Sequence, residues 1–217
     1  MSLQLPARDF HSLIARFIRK LVSIYNRSIL VSVLNNRDVE YICKQMLNIE
    51  WAPKLSPECL EVISRCDSML EKMFILGACD LIRARCETTP TLSASVVRLN
   101  GHKYSGIWFW EPWLGWRLDD LPPEKQTGPS AIMFVPQFKS PEKEITHDLA
   151  IFYGDDNGSP TWKLKHVVEV DGYGVHQNRR NKDALRDDGL SYKIHRLYEE
   201  TDKPLEWFKK IIYSDAE

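Results

Sequence analysis

Three carboxylates carry the sharpest chemical signal in this chain. The run His166-Val-Val-Glu169-Val-Asp171-Gly172 reads as an apolar strand that ends in two acids two positions apart, and side chains two apart on a strand share one face. Two acids on one face repel each other unless a positive group lies between them, a need that a hard divalent cation meets. The third acid, Asp148, stands inside Ile145-Thr-His-Asp-Leu-Ala-Ile-Phe-Tyr153, where an acid suits an otherwise buried strand poorly. Pairing of these two strands would bring Asp148 within reach of Glu169. The set would then hold one or two Mg2+ or Mn2+ ions and leave positions for water and a phosphate oxygen, as phosphodiester hydrolysis requires. The bland alternative for Glu169 and Asp171 is a strand that emerges into solvent at an Asp-Gly turn. His147 and His166 fall out of phase with the neighbouring acids, which predicts that both lie on the opposite sheet face.

The elements that must position these residues follow from periodicity. Apolar residues at three- and four-residue spacing predict helix from Asp9 to about Asn48. A second helical stretch covers about Pro57 to Arg85 and breaks near Cys66-Asp67, where Asp67 or Ser68 can cap a new helix with Glu71 as the partner acid. Its expected buried face is Leu70, Phe74, Gly77, Ala78 and Leu81. Beyond Thr88-Thr89-Pro90 come strand-like runs at Leu92–Leu99, Ser130–Phe138, Ile145–Tyr153 and Trp162–Asp171. The turn formers of Gly154-Asp-Asp-Asn-Gly-Ser-Pro160 make the last two an antiparallel hairpin. A charged helix from Gln177 to Leu190, a short strand near Lys193–Leu197 and a helix from Pro204 to about Tyr213 complete an α/β arrangement. The aromatic stretch Tyr104–Trp116 reads as a core-covering loop or hairpin before it reads as a base-stacking surface.

Read in order, these segments resemble the PD-(D/E)XK nuclease superfamily, in its branch around very-short-patch-repair-like endonucleases. The resemblance runs from about Ser68 to Leu197. It rests on Ser68-Met-Leu-Glu71-Lys-Met-Phe, Val135-Pro-Gln137, Thr146-His-Asp148-Leu-Ala, Glu169-Val-Asp171-Gly172 followed by His176, and Asp183-Ala-Leu-Arg186-Asp187. It implies a restriction-endonuclease-like mixed sheet flanked by helices over residues 66–217, and the N-terminal helical extension at 1–65 falls outside the resemblance. It also implies that Asp148 and Glu169 ligate metal, that Glu71 is an accessory acid and that Gln137 lines the site. Where the family's best-known pattern has Glu-x-Lys, this chain has Glu169-Val-Asp171. His176 is then the candidate for proton transfer or phosphate contact. Lys165 lies four residues from Glu169, roughly 13 Å along a strand, too far to replace the missing lysine. Arg179 and Arg180 read first as a solvated helix start and second as phosphate contacts, and Asp183 with Arg186 as a structural ion pair.

With 217 residues, 43% hydrophobic, the chain can bury a substantial core. No run of about 18 apolar residues occurs and the start lacks the layout of a secretory signal, so a cytoplasmic protein without a membrane partner is expected. The five cysteines are scattered and never form CxxC, which favours neither disulfides nor zinc. The net charge of −1 does not itself point to nucleic acid, although Arg179, Arg180, Lys182 and Arg186 cluster beside the proposed site. The expectation is a metal-dependent endonuclease that hydrolyses phosphodiester bonds, DNA favoured over RNA, through metal-activated water. The helices before residue 65 are candidates for a protein partner or a homodimer contact. The rivals are a catalytically degenerate member that binds nucleic acid or protein, and a non-enzymatic subunit of a defence or phage-related complex.

Overall fold

The computed structural model describes residues 33–85, 91–110, 131–154, 161–171, 187, 189–198, 206–208 and 211. Of Arg85, Thr91, Trp110, Asp171 and Tyr198 only the backbone is described. Asn35 opens the first helix among the described residues, α1 (Asn36–Tyr41). Its side chain accepts from the N–H groups of Arg37 and Asp38, and the Asp38 carboxylate accepts from the Asn35 N–H. This reciprocal cap satisfies donors that have no partner within the helix. A π-helical turn, Ile42–Met46, continues α1. The Asn36 side chain then donates to Leu55 O and accepts from Leu55 N, closing the segment that leads to α2 (Pro57–Ser64). Ser56 caps α2, with Pro57 in the first turn where its missing N–H costs nothing.

The expected break at Cys66-Asp67 is present, and α3 (Met69–Arg85) follows it. Ser68 Oγ accepts from the Glu71 N–H at 3.1 Å, while the returning bond falls on the N–H of Asp67. The single buried stripe expected on this helix is replaced by burial on all sides: residues 71–79 are all buried, whereas Leu70 and Leu81 are half-buried. A helix enclosed on every side needs no amphipathic stripe. It has taken Glu71 and Lys72 into the interior with it, at 2% and 0% exposure.

Six strands form one mixed sheet in sequential order, so the fold is α/β. They are β1 (Thr91–Leu99), β2 (His102–Trp110), β3 (Ala131–Lys139), β4 (Thr146–Gly154), β5 (Trp162–Asp171) and β6 (Ile194–Tyr198). The first five form an antiparallel meander, and β6 pairs in parallel with β5. Each strand read from the sequence is found within a residue or two of its expected bounds, including the β4–β5 hairpin. The first part of the aromatic stretch lies in β2, paired with β1 through Asn100-Gly101, both at positive φ (49° and 83°). That backbone matches the twist of a two-residue hairpin.

The sheet buries apolar side chains on both faces. On the helix side, Phe74 packs against Phe134, Trp207 and Phe208. Leu34, Ile42, Cys59 and Ile63 belong to that same core, so α1 and α2 share it with the sheet. On the other side a smaller cluster contains Tyr104, Met133, Phe138, Phe152 and Val167. Among the described residues no helix is long and apolar enough to cross a membrane.

Candidate functional site

The site forms where β3, β4 and β5 approach a common end. On β3, Ile132 and Phe134 pack on the helix side and Met133 and Val135 on the other, as alternation demands. Phe138, which alternation would put with Phe134, lies instead on the far side. The slip occurs at Gln137, a non-glycine residue at φ 52° inside a strand. It stands between the pairs Pro136–Leu149 and Phe138–His147, and therefore opposite Asp148. Strain of this kind persists only where surrounding contacts hold it. Here the contact is with Glu71: Gln137 Nε2 donates to Glu71 Oε2 across 3.0 Å.

Burial pushes the Glu71 carboxyl above its ordinary range, against the lowering effect of its bonds from Ser68, Asp67 and Gln137. Next to it, Lys72 Nζ donates to the Cys66 carbonyl at 2.6 Å. Burial lowers the Lys72 ammonium, while the negative charge around Cys66, Glu71 and Asp67 works the other way. A buried thiol at Cys66 is pushed well up, first by burial and then by the charge of Glu71, with Asp148 adding to it. Glu71, Lys72 and Cys66 thus crowd the junction of α2 and α3, where Gln137 of β3 reaches them through Glu71.

Asp148 is half-buried, and its Oδ2 accepts from the Val170 N–H at 2.7 Å. The last ladder pair between these strands is Leu149–Val168, so Asp148 stands next in register to Glu169. Glu169 is buried, and its side chain turns to His147, whose Nδ1 lies 2.6 Å from Glu169 Oε1. The expectation that His147 lies on the opposite face from the acids is therefore corrected for Glu169, with which it shares a face. The slip shared by β3 and β4 moves His147 across, so that it stacks on Phe138 instead of joining Leu149. His166 does lie on the face away from Glu169. Its Nε2 meets the Tyr153 hydroxyl and its Nδ1 meets His195 Nε2, each at 3.1 Å.

Of the residues predicted from sequence, the structure joins Glu71 directly to Gln137 and aligns Gln137, Asp148 and Glu169 on successive strands. Asp148 and Glu169 nevertheless turn to different partners. The backbone of Asp171 ends β5 opposite Tyr198. The Asp171 side chain, His176, Arg179, Arg180 and the Asp183–Arg186 pair all lie outside the described residues. Within them, Arg196 of β6, in register with Glu169, is paired with Asp187. Sequence reasoning missed His147, Tyr192 and Lys72. For Lys72 the only signal was a lysine inside the apolar run of α3.

A hard divalent ion requires oxygen donors, and Asp148, Glu169 and Glu71 supply them. A carboxylate has two oxygens with about four lone-pair sites, so one hydrogen bond does not exhaust it. Among the described residues, however, no three His, Cys, Asp or Glu side chains converge as a ready-made metal-holding group. The donor chemistry suits such an ion, but the described residues do not bring these donors together as one group. No protein-family model, curated protein or solved structure matches the chain.

Proposed function

We propose that this chain is a divalent-metal-dependent nuclease of the PD-(D/E)XK type, with a restriction-endonuclease-like fold, that hydrolyses phosphodiester bonds in the cytoplasm, in DNA before RNA. The observation that carries this reading is the register of the site. Gln137, Asp148 and Glu169 stand side by side on β3, β4 and β5, and Gln137 reaches Glu71 on α3. Acidic side chains on adjacent strands, close to a strained backbone position and a buried helix acid, make a poor structural core and a reasonable cation site.

In this proposal Asp148, Glu169 and Asp171 hold Mg2+ or Mn2+. When bound, the ion supplies charge compensation and acidifies water. Glu71 is the accessory acid on the helix side of the sheet, held there by Gln137. In the same proposal His176 carries the proton, and Arg179 and Arg180 bind phosphate. The helical region before residue 65 is the candidate surface for a protein partner or a second copy.

A second reading, a non-cutting member that binds nucleic acid or protein, is favoured by one observation. No lysine follows Glu169 at the expected position, and Lys165 is exposed as the extra residue of a β-bulge between the Ile151–His166 and Phe152–Leu164 pairs. The deciding experiment offers plasmid, single-stranded DNA and RNA to the protein in Mg2+ or Mn2+, with EDTA and an Asp148→Ala/Glu169→Ala double variant as controls. Cutting that disappears in both controls supports the nuclease. Mn2+ binding without cutting supports the second reading, and the absence of both removes the metal site.

A further inference from the structure

β1 closes the sheet on one side, and among the described residues it is paired with β2 alone. Its ladder runs from Thr91–Trp110 to Leu99–His102 without a bulge. The outer edge of such a strand carries a row of backbone N–H and C=O groups, which folded proteins ordinarily protect with proline, lysine, a bulge or a very short strand. β1 has 9 residues, Thr-Leu-Ser-Ala-Ser-Val-Val-Arg-Leu, and none of these devices. Its one charge, Arg98, stands at the hairpin end.

The hairpin decides which backbone groups face outwards. A two-residue turn makes its flanking residues, Leu99 and His102, a hydrogen-bonded pair, and such pairs alternate with non-bonded ones along an antiparallel ladder. Leu99, Val97, Ser95 and Ser93 therefore direct their backbone groups to β2. Arg98, Val96, Ala94 and Leu92 direct theirs away from it. Val96 is also one of the two large apolar residues that stand exposed among the described residues, at 54%.

The same strand is complementary to a second copy of itself. Antiparallel pairing about a twofold axis at Ser95, the midpoint of β1, sets Ala94 against the second copy's Val96 and Leu92 against its Arg98. Every outward-facing residue then meets another outward-facing residue, so the new ladder can bond along its whole length. Val96 gains an apolar neighbour, the two arginines do not face each other, and the two Ser95 hydroxyls meet on the axis, where a cross-strand hydrogen bond favours the pair. An isologous contact needs a patch of this kind, one that fits itself.

We propose that β1 is a dimer contact: two copies of this chain join edge to edge, β1 against β1, into one sheet continuous through both. The inference goes beyond the nuclease reading and does not depend on it.

The test follows the full chain by sedimentation from about 1 μM to about 1 mM, a range that covers weak association. Wild type should pass from one-chain to two-chain mass. Ser95→Asp and Ser95→Lys each set like charges across the axis and should weaken association by about fivefold. An equal mixture of the two sets Asp against Lys and should recover it. Proline is tolerated on an edge strand where its missing N–H faced solvent, so Val96→Pro keeps the β1–β2 ladder and removes bonds from the contact alone. That variant should lose the dimer. Wild type that stays a single chain throughout overturns the proposal, even if β1 then takes up an extended peptide from another protein. A dimer that none of these variants weakens also overturns it, by placing the contact elsewhere on the chain. Loss in both Ser95 variants without recovery on mixing overturns the pairing at Ser95. One measurement needs no variant and so holds if a substitution prevents folding. Hydrogen exchange at the Ala94 and Val96 N–H groups should slow as the wild-type concentration rises through the transition, and exchange there that ignores concentration overturns the contact.

Discussion

Gln137 and Glu71 are 66 positions apart and meet through one bond, the Gln137 amide donating to Glu71 Oε2 across 3.0 Å. Around this contact β3 departs from strand geometry, since Gln137 holds φ 52°. An L-residue in that region is strained by roughly 1–2 kcal/mol, and glycine avoids the strain because it has no Cβ. The conformation turns Gln137 towards the helix side and carries Phe138 and His147 to the other, so one backbone angle sets both halves of the site.

The strain and the hydrogen bond can be measured separately. Gln137→Ala loses the bond and keeps the strain, whereas Gln137→Gly loses the bond and relieves the strain. In urea unfolding, Gln137→Gly should be the more stable of the two by about 1 kcal/mol, with both less able to bind Mn2+ than wild type. Equal stability of the two variants would show that the positive φ costs nothing here.

His166 should make the fold acid-sensitive. Burial, aided by the positive charges of His195, Lys165 and Lys193, lowers its pKa from 6.5 to about 3. The folded protein thus keeps His166 neutral where the unfolded chain protonates it. Stability from this source is fully present above pH 6.5 and is lost as the pH falls from there towards 3. The slope reaches up to about 1.4 kcal/mol per pH unit. Urea midpoints at pH 7, 6, 5 and 4 should fall more steeply for wild type than for His166→Gln, and parallel curves would rule out this source.

Much of the scaffold was legible because it rests on local signals. The two-residue alternation of β4 and β5, the turn formers between them, and the Ser68 cap of α3 are each visible in a few consecutive residues. Asn100-Gly101 was equally local and was passed over, although this dipeptide is a strong hairpin signal. The face of His147 was not legible. Strict alternation puts it with Leu149, and only the slip at Gln137, sustained by a contact with a helix 66 positions earlier, reverses that. Lys72 was unreadable for a related reason. A lysine on a helix is ordinarily solvated, and its burial depends on α3 being enclosed on all sides, with the Cys66 carbonyl placed to receive it.

Gly106 shows how tightly β2 lies on β3. A Cβ built there would stand 2.5 Å from Met133 Cγ and 2.9 Å from the Phe134 carbonyl oxygen. The methionine chain can bend away, but the backbone oxygen belongs to the sheet and cannot. Gly106→Ala should therefore cost about 1–3 kcal/mol, the usual range for overpacking, read as a lowered urea midpoint at unchanged slope. A variant as stable as wild type would mean that β2 shifts freely over β3.

Asp148 has one observed duty and a second that the metal-site proposal assigns to it, and a choice of substitution can separate them. Its Oδ2 accepts from the Val170 N–H at 2.7 Å, beyond the last ladder pair, so the side chain does for β5 what a strand carbonyl would otherwise do. Asp148→Ala leaves that N–H without its acceptor and should cost about 1–3 kcal/mol. Asp148→Asn keeps an oxygen for Val170 and removes the charge, so its folding stability should stay within about 1 kcal/mol of wild type, the scale of a single neutral hydrogen bond. The proposed ion would respond to the assigned duty. An ion that binds only the folded state raises stability by RT ln(1 + [L]/Kd), about 2.7 kcal/mol at a hundredfold excess over Kd. Wild-type protein should therefore melt higher with Mn2+ and return to its starting point with EDTA, whereas Asp148→Asn should melt at the same temperature with and without the ion. If Asp148→Asn is stabilised by Mn2+ as much as wild type, Asp148 serves β5 alone and the ion is held elsewhere.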